Sequence, residues 1–324
     1  MQRHILHVPD EFHGKTLLEF LNATLHDLLK GTIERLIREG CVEIEGRKKT
    51  AEWRLLKGLE VQVTVPEDVG TAIGPRQLEL EILHEDARLI AINKEAGFST
   101  TPGYGQEKPS LLEGVWYHLR EAEIKPRIVN RLDKETSGVL LFAKDDQAHS
   151  FLATQFEKRM VEKLYLALVA GAMEDDHGEI SLPLAPHPRK PSQMLVNKKD
   201  GKQALTRWTV VERFDGYTLL AVRPATGRTH QIRVHMSACS HPLAIDPVYG
   251  SKQPLFLSAL KPGYRPHPGR EERPLIGRLT LHAAELTFRH PDNGQVMTIE
   301  APLPKDLRGI LRALRRYRMK IPVG

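Results

Sequence analysis

Apolar residues recur at helical spacing near the start of the chain, at Leu17, Leu18, Leu21, Leu25, Leu28 and Leu29, and the pattern stops at Gly31. This predicts a helix closed by Gly31. Thr32 is placed to cap a second helix, with Ile33, Leu36 and Ile37 on its apolar face and Gly40 at its end. The period then drops to two. Val42 and Ile44 alternate with charges, Glu45-Gly46-Arg47 makes a turn, and Val61, Val63 and Val65 alternate as a later strand. Residues 1–66 therefore read as a small α+β unit. Residues 67–77, rich in turn formers, read as a linker.

Strand patterns dominate from Leu78 onward. Short apolar or alternating runs stand at 78–83, 89–93, 139–143, 164–169, 208–211 and 219–222, and another at 279–288. Helical spacing returns after Asp145, with Ala148, Phe151, Leu152 and Phe156, and again after Thr226-Gly227. The fold class is thus α+β: a mostly antiparallel mixed sheet with packed helices over residues 78–310, preceded by the small unit. Residues 254–274 read as a long surface loop. Residues 311–324, with Arg312, Arg315, Arg316 and Arg318, read as a basic helix or a solvated tail, and charge runs favour the solvated tail.

Composition narrows the class without naming it. A hydrophobic fraction of 40% leaves room for a packed core and argues against global disorder. Lys and Arg outnumber Asp and Glu by 47 to 41, which permits an anionic partner. The two cysteines, Cys41 and Cys239, make no disulfide framework, and a reducing cytoplasm is the expected setting. The longest apolar run, 164–173, is far short of the roughly 20 residues of a membrane span, so no membrane is expected.

Three segments carry candidate chemistry. In the first, Asn130-Arg131-Leu132-Asp133-Lys134-Glu135-Thr136-Ser137-Gly138, a charged loop runs into an apolar strand, and Asp133 stands at its rim. Taken alone, Asp133 could simply cap the loop or pair with Arg131. The second, Lys163-Leu164-Tyr165, places a tyrosine on one face of a strand, as plain core or as a flat wall for a stacked base. The third runs from Arg223 to Met236 and clusters Arg228, His230, Gln231 and Arg233 after the turn at Gly227. An arginine there could pair with a carboxylate and keep it ionised. His230, His235, Cys239 and His241 invite a zinc reading, but residues five apart do not share a helix face, so no metal is expected. Asp133 and Glu135 as a glycosidase pair lie too near each other in the chain to be specific.

Taken in order, these segments resemble the RluA-type RNA pseudouridine synthases over about residues 78–305. The matching stretches are Arg131-Leu132-Asp133 with Thr136-Ser137-Gly138, Lys163-Leu164-Tyr165, and Gly227-Arg228-x-His230-Gln231-Ile232-Arg233-x-His235. Asp246-Pro247-x-Tyr249-Gly250, Asn93-Lys94 with Gly97, and Leu281-His282-Ala283 are further echoes. Asn130 departs from the histidine common at that position.

The resemblance implies a cofactor-independent isomerase. Asp133 would be the nucleophile, or the group that triggers elimination at the sugar. Tyr165 would wall the uracil and could act in C5 deprotonation, Arg228 would pair with Asp133, and Arg131 would fill the gap left by a flipped base. His230, Gln231 and Arg233 would support Arg228 and contact phosphates. Residues 1–66 resemble a degenerate S4-type RNA-binding module, with Lys30, Arg35, Arg38, Arg47, Lys48 and Lys49 as its positive charges. The implied partner is ribosomal or transfer RNA, with no obligate protein partner. A non-catalytic RNA-binding factor is the alternative, although such a protein should have lost Asp133, Tyr165 or Arg228.

Overall fold

The computed structural model describes residues 2–25, 28, 30–65, 74–102, 109–265, 269 and 271–319. The chain divides into two compact units, one of Met1–Glu79 with Thr101–Glu123 and one of Leu80–Thr100 with Ile124–Gly324.

The first unit holds β1 (Gln2–His7), α1 (Leu17–Thr24), α2 (Lys30–Arg38), β2 (Val42–Ile44), β3 (Arg47–Lys48), β4 (Glu60–Val65) and, from the later segment, α3 (Leu111–His118). Its sheet is antiparallel, in the order β1-β4-β2-β3. Val61, Val63 and Val65 on β4 are buried against Leu17, Phe20, Leu21, Ile33 and Leu36 of the helices, so the period-two and helical patterns meet in one core. Two helix ends differ from the sequence reading. α1 is opened by a reciprocal cap between Thr16 and Glu19 and stops at Thr24, short of Gly31. Leu25 and Leu28 still pack into the core from the connection, which accounts for their helical spacing. α2 begins at Lys30, so Thr32 is a buried residue inside the helix and caps nothing. Residues 67–73 of the expected linker lie outside the described residues. Its end is anchored: the Arg76 N–H donates to the Glu113 carbonyl, and Leu78 packs so tightly on Gly114 of α3 that an added Cβ would sit 2.8 Å away.

The second unit is built on β5 (Ile82–Glu85), β6 (Leu89–Lys94), β7 (Arg127–Ile128), β8 (Ser137–Ala143), β9 (Glu162–Ala170), β10 (His177–Ser181), β13 (Leu205–Phe214), β14 (Tyr217–Pro224), β15 (Leu281–Arg289) and β16 (Val296–Glu300). These form one ten-stranded sheet, with the main path β10-β13-β14-β9-β15-β8-β6-β5. Each neighbouring pair is antiparallel except β15 with β8, which is parallel. β11 (Leu184–His187) and β12 (Lys190–Val196) make a separate hairpin. The α+β reading with a mostly antiparallel mixed sheet therefore holds.

The helices are α4 (Asp146–Glu157), α5 (Gln231–Ala238), α6 (Leu257–Leu260) and α7 (Lys305–Tyr317). Asp145 caps α4 through its side chain, where the sequence places the start of a helix. α7 corrects the reading of 311–324 as a solvated tail. Leu307, Ile310, Leu311 and Leu314 form an apolar stripe buried with Leu168, Phe214 and Leu219, while Arg315 and Arg318 pair outward with Glu212 and Asp215. The charges occupied one face and hid the stripe. Residues 320–324 lie outside the described ones. The expected surface loop at 254–274 is partly structured, since Leu255 and Leu260 are buried and Leu255 bridges to Ile276.

Candidate active site

The loop before β8 is pinned at alternate residues. Asn130 begins it by accepting from the Leu141 N–H through its side-chain oxygen at 2.8 Å. The Leu132 carbonyl accepts from the Thr100 hydroxyl, and the Lys134 carbonyl accepts from the Gly97 N–H. Lys94, the last residue of β6, is wholly buried, and its ammonium donates to the carbonyls of Glu95, Lys134 and Thr136 at 3.1, 2.7 and 2.7 Å. Three acceptors match its three N–H donors. Burial pulls the Lys94 pKa down to about 7, against the opposing charges of Glu135 and Asp133. A turn closed by the Thr136 N–H on the Asp133 carbonyl then delivers the chain into β8. There Gly138, at φ +119°, lies so close to Ala283 on the parallel strand that a Cβ would stand 2.0 Å from its carbonyl oxygen.

Pinned in this way, Asp133 directs its carboxylate toward α5. Arg233 Nη1 donates to Asp133 Oδ2 at 3.0 Å. The same guanidinium binds Asp246 in bidentate fashion, Nε to Oδ2 and Nη2 to Oδ1, both at 2.8 Å. Asp246 is fully buried and also accepts the N–H groups of Val248 and Tyr249. Burial would raise its pKa, but Arg233 and the two amides hold it below the usual carboxylate value. His230 Nε2 stands 3.8 Å from Asp133 Oδ2. Asp133 Oδ1 takes no hydrogen bond among the described residues. Tyr165, on β9, is half-buried. Burial and then the nearby Asp133 charge push its phenol above the ordinary tyrosine value, so it is neutral at physiological pH.

The expected partner of Asp133 is therefore corrected. Arg228 lies at the turn before α5, where its Nε donates to the Gln203 carbonyl and its N–H to the Gln231 side chain. Arg233, a turn into the helix, makes the pair because that face of α5 is turned inward, with Gln231 through Met236 all buried. Gln231 is fully committed too. It accepts from the Thr226 hydroxyl and donates to the Leu205 carbonyl and Thr206 hydroxyl, tying the turn to β13. Neither Gln231 nor Arg233 is placed to contact phosphates. Arg131 is exposed on the Asp133 loop. The histidines of the zinc reading go separate ways: His230 to Tyr249, His235 to Thr206 and Leu182, His241 to Ala170.

Comparison with known proteins decides the family. The model of the RNA pseudouridylate synthase family matches residues 88–238, which span the Asp133 loop, Tyr165 and all of α5. An uncharacterized RNA pseudouridine synthase of Bacillus subtilis is 32% identical over 312 residues, 95% of this chain and 96% of its own length. The chain belongs to the RNA pseudouridine synthases. The synthase is also similar to the ribosomal large subunit pseudouridine synthase D of Neisseria meningitidis, at 36% identity over 96% of this chain and 81% of the relative. Among solved structures, human RNA pseudouridylate synthase domain containing 1 superposes with a TM-score of 0.54 and 26% identity, covering 75% of this chain and 97% of that one. The synthase is thus an isomerase acting on RNA. Among the described residues, no helix is long and apolar enough to cross a membrane.

In the first unit, Arg38, Lys48 and Lys49 stand around a groove of about 550 Å³ whose lining includes Ile37 and Trp53, with the Lys49 ammonium 5.0 Å from the Trp53 ring centre. Arg35 is paired within its own helix to Glu39 at 2.5 Å. The Lys30 side chain lies outside the described residues.

Site residues missed from sequence are Lys94, Asp246 and Tyr249. Each was visible only as part of a family echo. A better signal is a lone charge closing an apolar run, as Lys94 does after Leu89–Asn93 and Asp246 after Leu243–Ile245.

Proposed function

We propose that Asp133 is the catalytic carboxylate of the synthase and acts as the nucleophile at the ribose of a flipped uridine. The observation that carries this is the Arg233–Asp133 pair beside Tyr165. One oxygen of Asp133 is held by a guanidinium that is itself locked to a buried carboxylate, and the other oxygen takes no hydrogen bond among the described residues. A carboxylate must be ionised to attack, and the guanidinium fixes the direction in which Asp133 faces.

In the reaction an Asp133 oxygen bonds to C1′ as the bond from uracil N1 to C1′ breaks, the base turns, and C5 bonds to C1′ as the Asp133–C1′ bond breaks and frees the carboxylate. The proton on C5 is lost and N1 gains one, so no electrons are exchanged and no cofactor is called for. Tyr165 serves as a flat wall for the uracil. Its neutral phenol favours that role over deprotonating C5 in the free enzyme. Arg131, exposed on the same loop, fills the space the base vacates. Extrusion of the base costs a few kcal/mol, to be met by contacts elsewhere on the RNA.

Ribosomal RNA of the large subunit is the proposed substrate, supported by the name of the Neisseria relative, with transfer RNA second. The first unit would add an S4-like grip through Lys30, Arg35, Arg38, Lys48 and Lys49. The groove around Arg38, Lys48 and Lys49, with Trp53 beside it, supports that role. The enzyme would act in the cytoplasm without an obligate protein partner.

The test is release of tritium from C5-labelled uridine in ribosomal and transfer RNA from cells lacking this protein. Wild type should release label and Asp133→Asn should not. Release that survives Asp133→Asn would remove Asp133 from the chemistry. Tight RNA binding with no release on either RNA would favour a non-catalytic RNA-binding factor.

A further inference from the structure

A phenol has one proton to give. The Tyr249 oxygen accepts the Met194 N–H of β12 at 2.7 Å, and its other close polar neighbour is His230 Nδ1 at 2.8 Å. The phenol proton is free to point to Nδ1, which then acts as the acceptor. A neutral imidazole that accepts at Nδ1 carries its proton on Nε2, and Nε2 is the nitrogen facing Asp133.

The arrangement is built from several directions. The Tyr249 N–H is bound by Asp246, its carbonyl by the Ser237 hydroxyl of α5, and its ring lies against the Arg233 guanidinium at 5.1 Å and the edge of the His230 ring at 5.5 Å. His230 itself sits in the left-handed region at φ 53°, where side-chain-bearing residues are uncommon.

We propose that Tyr249 is a positioning residue of the reaction: its hydroxyl fixes His230 in the Nε2–H form and aims that hydrogen at Asp133 Oδ2, beside the Arg233 donor. This rests on Asp133 being the catalytic carboxylate. Arg233 is bonded to Oδ2 and His230 Nε2 stands 3.8 Å from the same oxygen, so both nitrogens approach the carboxylate from the Oδ2 side. The neutral state of His230 matters as well, because an imidazolium beside Asp133 would tie the nucleophile into a second ion pair.

The groups facing His230 are Asp133, Arg233, Asp246 and Tyr249. Burial lowers the His230 pKa most, Arg233 lowers it further, and Asp133 and Asp246 oppose. Protonation of Nδ1 would set its hydrogen against the phenol proton, so the hydroxyl also favours the neutral ring. Removing it should let His230 charge at a higher pH.

The test uses the full chain labelled with ¹⁵N. Long-range ¹H–¹⁵N correlation of the histidine rings, with His230 assigned by comparison to His230→Asn, should find the proton on Nε2 at pH 8. Tyr249→Phe keeps the ring and loses the hydroxyl. It should mix the tautomers, lower kcat about tenfold, the worth of one hydrogen bond, with little change in KM, and move the acid limb of the kcat profile to higher pH. A wild-type proton on Nδ1 would overturn the proposal even if Tyr249→Phe fails to fold. So would a folded Tyr249→Phe with unchanged kcat and acid limb. Activity persisting in Asp133→Asn would sink the parent reading instead, and the tautomer result would still stand on its own.

Discussion

Asp246→Asn removes one charge from a buried pair and almost no volume. Asp246 is wholly buried and Arg233 is 7% exposed, so water cannot replace what is lost. The wild-type carboxylate accepts four bonds, two from Arg233 and one each from the amides of Val248 and Tyr249. Asparagine can keep its oxygen toward the amides and one guanidinium N–H. Its NH₂ then faces the other guanidinium donor. Removing one partner of a buried ion pair costs about 3–5 kcal/mol, and the retained oxygen places this variant near the lower end, about 3 kcal/mol. With an m-value of about 1–3 kcal/mol/M in urea, the midpoint should fall by roughly 1–3 M. The assay is urea titration followed by the fluorescence of Trp208, with Trp53 and Trp116 replaced by Phe so that only the sheet of the second unit reports. The pH dependence has a definite sign. Asp246 has a depressed folded pKa, so its stabilisation is complete above the unfolded value of about 3.9 and is lost as pH falls through the lower folded value. The gap between wild type and Asp246→Asn should therefore narrow on acidification below about pH 4. A gap under about 1 kcal/mol at pH 7, or one that does not narrow in acid, would refute the argument that the buried pair locks Arg233.

Arg233→Lys keeps a charge but cannot reach both carboxylates, and kcat for tritium release should fall about 10- to 100-fold. Arg228→Ala should leave kcat within about threefold of wild type, and the reverse order of these two variants would restore Arg228 as the partner of Asp133. Gly138→Ala forces a Cβ to within 2.0 Å of the Ala283 carbonyl at a positive φ, so soluble yield should collapse. A soluble Gly138→Ala melting within about 3 °C of wild type would show that the two strands can part there without penalty.

The sequence was most legible where one periodicity ran uninterrupted. β6, β8, β9 and β14 and the start of α4 were all readable, because buried strands are continuous apolar runs and the helix keeps its apolar spacing. β1 was missed, since its alternation of His4, Ile5, Leu6 and His7 is weak until β4 pairs with it. Over α7 a basic helix and a solvated end both fit the sequence, and the arginines favour the solvated end until the leucines every three or four residues are seen buried. At the site, Asp133, Tyr165 and the α5 segment were found, but the arginine was chosen wrongly. Spacing along a chain says which residues share a face; it does not say which way that face turns. Lys94 and Asp246 act by anchoring a loop and an arginine across the fold, and such tertiary pairings leave only a misplaced charge in the sequence.

The parallel pairing of β8 with β15 joins residues far apart in the chain, as the bond between the Ser137 hydroxyl and His282, 145 positions on, makes plain. On a ribosome adding about 5–20 residues per second, roughly 7 to 30 s separate the emergence of these two strands. For that interval the Asp133 loop lacks the strand that closes it on one side. The nascent chain therefore cannot complete the support of the Asp133 loop until β15 has emerged, however early the loop itself was made.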